Sequence, residues 1–149
     1  DYYYTFAKIV DTRTKLIENN YKPIKEMGIF IDIFPIDYIP DNFNKSIKKF
    51  KKYKFYNRIL WLCIKDYRQF KNKKSLRNFL KIIFIKIFGR MKFIKIIVKK
   101  TERICKLSVE TNTVACVCGR YFEKEIMSKS YMKDFVLVDF EDEKYKAPI

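Results

Sequence analysis

Two carboxylates in the decapeptide GIFIDIFPID, Gly28 to Asp37, have the setting in this sequence that most suggests chemistry. Asp32 stands in the middle of a run of Ile and Phe, and Asp37 follows just past Pro35. An ionised carboxylate on a buried strand is costly unless it is paired, hydrogen-bonded or bound to a metal. Asp32 therefore needs a partner. Lys8, on a neighbouring strand, would make a structural ion pair. A hard divalent cation such as magnesium is the sharper alternative, because it takes carboxylate oxygens and keeps coordination sites for substrate phosphates. The chain has no histidine, which removes Ser-His and Cys-His nucleophile pairs and the commonest zinc ligand. Acid-base work would fall to carboxylates, lysines or tyrosines. Four cysteines, Cys63, Cys105, Cys116 and Cys118, are too few and too scattered for a disulfide framework and point to a reduced, cytoplasmic setting. Cys116 and Cys118 would point the same way from a strand and could share a metal, but core packing is the favoured role for a lone C-x-C.

The elements that must position these residues fall into thirds. Residues 1–40 read as strands. Tyr2, Tyr4, Phe6, Lys8 and Val10 alternate along YYYTFAKIVD, DTRT offers a turn, and KLIE reads as the short return strand of a hairpin. In the stretch after Gly28, Ile29, Ile31 and Ile33 form one face and Phe30, Asp32 and Phe34 the other, which predicts a strand central in its sheet. Pro35 ends that ladder. Residues 41–110 read as helices: Ile47, Phe50, Tyr53, Tyr56, Leu60, Cys63, Tyr67 and Phe70 recur at helical spacing from Asn44 to Phe70, with Asp41 or Asn42 as the N-cap. A second helical pattern runs from Ser75 and is interrupted at Gly89. Residues 111–149 return to strands, with TVACVCG a short strand, YFEKEIM a turn or brief helix, and FVLVDFEDEKYKAP two strands around an acidic turn. The fold class this predicts is α+β, a small mixed β-sheet with a basic helical segment inserted between strand-rich ends.

The net charge of +16 comes from the middle third alone: residues 41–110 hold 22 Lys and Arg against 4 Asp and Glu, while each flank is close to neutral. Lys74, Arg77 and Lys81, and then Lys92, Lys95 and Lys99, repeat an i, i+3, i+7 spacing that puts each trio on one helical face.

FAKIVDTRT, then GIFIDIFPIDYIP, then DFEDEKYKAP resemble the LicD-type phosphocholine transferase family in order and separation, over nearly the whole chain. The pattern G-h-h-h-D-h-F-P-h-D, with h hydrophobic, carries most of that specificity. The resemblance implies a nucleotidyltransferase-like fold and a transferase that moves phosphocholine, or a related phospho-group, from a CDP-linked donor to a cell-surface glycan acceptor with magnesium or manganese. By position it implies Asp32 as a catalytic residue and metal ligand, Asp37 as a second catalytic carboxylate of unassigned role, and Lys8 and Thr14 as phosphate-binding residues; Glu141 matches a structural position. The family's N-terminal block, a glycine-rich turn followed by a tryptophan and clustered aspartates, has no counterpart in residues 1–149, nor has the segment expected after the APxxY position. The expectation is a partial catalytic domain, inactive by itself.

The basic middle admits other partners. Lysines interleaved with Phe50, Tyr53 and Tyr56 could track a nucleic-acid backbone, although the helical spacing of these rings favours core positions and makes nucleic acid the less favoured partner. LRNFLKIIFIKIFGRMKFIKIIVKK is too often interrupted by cations to span a bilayer, yet it could lie peripherally on an anionic membrane at the cytoplasmic face. A non-enzymatic basic module is thus the alternative to the transferase, and a helix packed on the sheet with solvated lysines is the plainer account of the same residues.

Overall fold

The lysine-rich middle folds as its 3.6-residue periodicity predicts. In a computed structural model, which describes residues 3–17, 21–25, 27–70, 75–106 and 109–148, helix α1 spans Phe43–Ile64, α2 Leu76–Phe88 and α3 Met91–Cys105. Asn42 rather than Asp41 caps α1, its side chain accepting a hydrogen bond from the Lys45 amide at 3.1 Å. The helix stops short of Phe70. Lys65 takes an extended backbone (φ −64°, ψ 146°) and bridges Tyr21, leaving Tyr67–Phe70 as a separate 3-10 turn. Gly89 divides α2 from α3, and its carbonyl accepts a hydrogen bond from the Lys22 ammonium.

Two apolar clusters hold α1 and α3 together. Leu60, Cys63 and Ile64 at the end of α1 pack with Ile94 and Ile97 near the start of α3, joined by Tyr3, Tyr4 and Met27. Phe50 and Tyr53 near the start of α1 pack with Cys105 at the end of α3, joined by Ile39, Ala115 and Val117. The two helices are therefore antiparallel.

The strands differ from expectation in two ways. They form three small antiparallel sheets among the described residues instead of one mixed sheet: β1 (Ala7–Asp11) with β2 (Ile29–Ile33), β3 (Asp37–Ile39) with β4 (Thr113–Ala115) and β5 (Met127–Ser128), and β6 (Phe135–Phe140) with β7 (Glu143–Pro148). The partner of β1 is also not the sequence-adjacent return strand. Lys15–Ile17 forms no strand, and Glu18, like Tyr2 and Lys74, lies outside the described residues. β2 wins the pairing because it offers five consecutive strand residues and a cation-carboxylate pair across the ladder, with Lys8 opposite Asp32. β2 is consequently not central. It belongs to a two-stranded sheet, and Ile29, Ile31 and Ile33 are 66%, 68% and 45% exposed. Pro35 separates it from β3, which pairs with β4 from the far third of the chain. β6 and β7 close on the acidic turn as expected, with all six side chains of β6 exposed.

Candidate functional site

Asp32 is already neutralised. Lys8 Nζ lies 2.5 Å from Asp32 Oδ1, with the Lys8 side chain 2% exposed and that of Asp32 32% exposed. Alternation puts Lys8, Val10, Phe30 and Asp32 on one face of the hairpin, and Val10 and Phe30 pack against the first apolar cluster. The Lys8 ammonium is enclosed by rings, 3.2 Å from the Phe30 centroid and 4.3 Å from that of Tyr4, so aromatic quadrupoles supplement the carboxylate. This is the ion pair that the residue types allowed from the start.

Thr14 fastens the other end of the hairpin. Its hydroxyl donates to the Asp11 carbonyl at 2.8 Å and accepts from the Ile29 amide at 2.8 Å. Both functions of the group are thereby occupied within the fold. Asp11 is held by Arg13, whose Nε and Nη2 lie 2.9 and 3.0 Å from its two carboxylate oxygens and keep the carboxyl below its ordinary range.

Asp37 is not brought to Asp32 but lies in a different sheet, opposite Ala115. Burial pushes its carboxyl above the ordinary 3.8, with Lys49 and Lys106 pulling the other way. The folded chain thus holds this proton more tightly than the unfolded chain. The resulting stability is present below pH 3.8 and is lost as pH rises through the folded value. Asp37→Asn is expected to flatten that part of a plot of urea midpoint against pH, and an unchanged slope would assign it to other groups.

The cations near Asp37 belong to a groove of about 750 Å3 between α1 and α3. α1 contributes Lys45, Lys48, Lys49 and Lys52, and α3 with its cap contributes Lys99, Lys100, Arg103 and Lys106, with Ile96 and Ile104 also in the lining. Lys49 donates to the Tyr38 carbonyl at 3.2 Å, and burial lowers its pKa. Sequence reasoning named only Lys99 of this set. The signal was present, since Lys45, Lys48 and Lys52 repeat the i, i+3, i+7 spacing noted for the two later trios. Glu102 was also missed. It faces a cleft of about 490 Å3 beside Ala7 and Ile33, at the hairpin end that carries Lys8 and Asp32. Only its place on α3 puts it there.

Cys116 and Cys118 lie beyond β4 in the following turn, not on the strand, with their sulfurs 3.8 Å apart. The Cys118 thiol beside it lowers the pKa of Cys116, whereas burial pushes Cys63 to about 11 and Cys105 to about 12. No group of three or more His, Cys, Asp or Glu that could hold a metal ion occurs among the described residues. Among the described residues, Asp32 is engaged by Lys8 and Asp11 by Arg13.

No family model, curated protein or solved structure matches the chain.

Proposed function

We propose that the chain is part of a LicD-like transferase with a nucleotidyltransferase-like fold, moving phosphocholine or a related phospho-group from a CDP-linked donor to a cell-surface glycan. One observation carries the reading. FAKIVDTRT, a flanking match, and the GIFIDI part of the decapeptide that carries most of the resemblance pair as two antiparallel strands, with Lys8 opposite Asp32 and Thr14 bracing Ile29, while Asp37 of the same decapeptide pairs in another sheet. Residues that resemble a family's motif at separate places in the sequence thus meet in one structural unit.

In this proposal the Lys8 ammonium acts on a diphosphate only through its field, because its side chain is 2% exposed and its charge is already offset by Asp32. Asp32 holds the ammonium in place and is itself partly open to solvent. Asp37 sits apart, with Lys49 and Lys106, and would act on a different portion of the substrates. Any magnesium or manganese would enter with the donor's diphosphate, because the described residues do not cage it.

The test is binding of a CDP-linked choline donor, with and without magnesium, to a protein containing this chain. Asp32→Asn is expected to weaken donor binding and to lower transfer by about a hundredfold, because the Lys8 ammonium loses the carboxylate that positions it. Transfer at the unaltered rate would remove the reading.

A second reading, a non-enzymatic module for a polyanion, nucleic acid included, is favoured by the eight cations that converge on the α1–α3 groove. Counterion release would make such binding fall steeply with salt, and Asp32→Asn would leave it unchanged. The same pair of proteins therefore separates the two readings.

A further inference from the structure

Helix α2 turns an apolar stripe to solvent. Leu76, Phe79, Leu80, Ile83 and Ile87 are 75%, 58%, 57%, 38% and 55% exposed. At about 100° per residue these five fall within an arc of roughly 100°. Ile85 lies on the opposite side of the helix and is 3% exposed, so α2 is anchored to the protein by one face and leaves the other uncovered. The stripe extends about 16 Å along the helix at ~1.5 Å per residue. Exposed Arg77 and Lys86 stand beyond its two edges.

We propose that this stripe docks on an anionic lipid surface, with the Leu, Phe and Ile side chains entering the interface and the cations meeting the headgroups. Charge decides the occupant. Residues 75–106, which span α2 and α3, carry ten Lys and Arg and a single acid, Glu102. A second copy placed stripe to stripe would oppose Arg77 and Lys86 to their own kind, and α2 has no acidic residue to relieve the repulsion. An anionic bilayer supplies both missing partners, hydrocarbon for the stripe and negative charge for its borders.

The other uncovered apolar surfaces lack this pairing. The outer face of the β1–β2 hairpin, with Ile9, Ile29, Ile31 and Ile33, carries Asp11 on the same face. The β6–β7 hairpin surrounds its apolar side chains with Asp139, Glu141, Asp142 and Glu143. On the first the Asp11 charge is offset by Arg13, and on the second four acids outnumber Lys144 and Lys146, so neither joins its apolar face to a surplus of positive charge as α2 does. Among the described residues no helix is long and apolar enough to cross a membrane, so the contact is one of lying on the surface. It is independent of whether the chain transfers a phospho-group.

The experiment is flotation of the chain with vesicles of phosphatidylcholine alone and of phosphatidylcholine mixed with phosphatidylglycerol, at low and high salt. Binding is expected to the mixed vesicles, weakened by salt. Joint Phe79→Ser and Ile83→Ser substitution is expected to reduce partition about tenfold or more, since two buried apolar groups are lost. Neutralising Arg77 or Lys86 with Gln is expected to reduce it about fivefold for each cation. Ile83→Trp gives a readout that does not depend on loss of function: its emission should shift to the blue on mixed vesicles, whereas half-buried Trp61 should not respond. No flotation of the unaltered chain with mixed vesicles at low salt, equal flotation of the Ser variant, or an Ile83→Trp signal indifferent to vesicles would overturn the proposal. So would a dimer in solution that the Ser substitutions dissociate, since that assigns the stripe to a second copy.

Discussion

Gly28→Ala is expected to cost about 3 kcal/mol of stability and to open the β1–β2 hairpin, the upper part of the range for overfilling a packed site. A Cβ at Gly28 would meet the Asp11 carbonyl oxygen at 2.0 Å, Thr14 Oγ1 at 2.5 Å and the Thr14 carbonyl oxygen at 2.9 Å. Two of these atoms are backbone and the third is tied at both ends by hydrogen bonds. Nothing near the new methyl can turn aside, so β2 must shift relative to the DTRT turn. That shift would break the Thr14 hydroxyl bond to the Ile29 amide and move Asp32 from its register opposite Lys8. Gly119→Ala is the informative control. Its nearest atoms, at 2.1 and 2.4 Å, are the carboxylate oxygens of Glu125, the far end of a flexible side chain. There the expected loss is about 1 kcal/mol, chiefly the hydrogen bond that Glu125 accepts from the Tyr121 amide. Urea midpoints of the two variants, with amide exchange of β1 and β2, measure the difference. Equal costs at the two glycines would remove the account of Gly28 as a close backbone approach.

The contrast shows what could be seen in the residues and what could not. The helices were legible because their evidence is local: apolar side chains at three- and four-residue spacing, Asn42 where a cap belongs, and Gly89 where the pattern breaks. The β6–β7 hairpin was legible for the same reason, as an apolar run, FVLV, followed by an acidic turn and a return strand. Pairing between distant strands leaves no such trace. Periodicity assigned Lys8 and Asp32 to faces of their strands, but it did not say that β1 would bypass Lys15–Ile17 and take β2. An Ile face and a Phe face on one strand read as burial on both sides, whereas only Phe30 and Val10 reach the core and the isoleucines face outward. Asp32 and Asp37, close in sequence, part company at Pro35 because β3 is drawn to β4 from the last third. The α1–α3 groove was half legible: the lysine spacing was there, but the convergence of two lysine faces depends on the antiparallel packing of helices that residues 65–90 separate along the chain.

Asp32→Ala is expected to destabilise the fold by about 3 kcal/mol, and Lys8→Met by only about 1 kcal/mol. The asymmetry comes from burial. Removing Asp32 leaves an ammonium on a side chain 2% exposed, and the rings of Tyr4 and Phe30 cannot replace the carboxylate. Removing Lys8 leaves a carboxylate 32% exposed that water can reach, and Met is accommodated well among aromatic rings. Joint replacement, Lys8→Met with Asp32→Leu, removes both charges and should recover most of the loss, because apolar pairs of similar volume often match a buried ion pair. Chemical denaturation of the three variants gives the coupling energy, and the double variant then separates fold from chemistry. A folded double variant that transfers no phospho-group would place Asp32 or Lys8 in the reaction, whereas retained transfer would confine the pair to holding β1 against β2. An Asp32→Ala protein as stable as the unaltered chain would mean that Lys8 is hydrated in solution and that the ring cage is open.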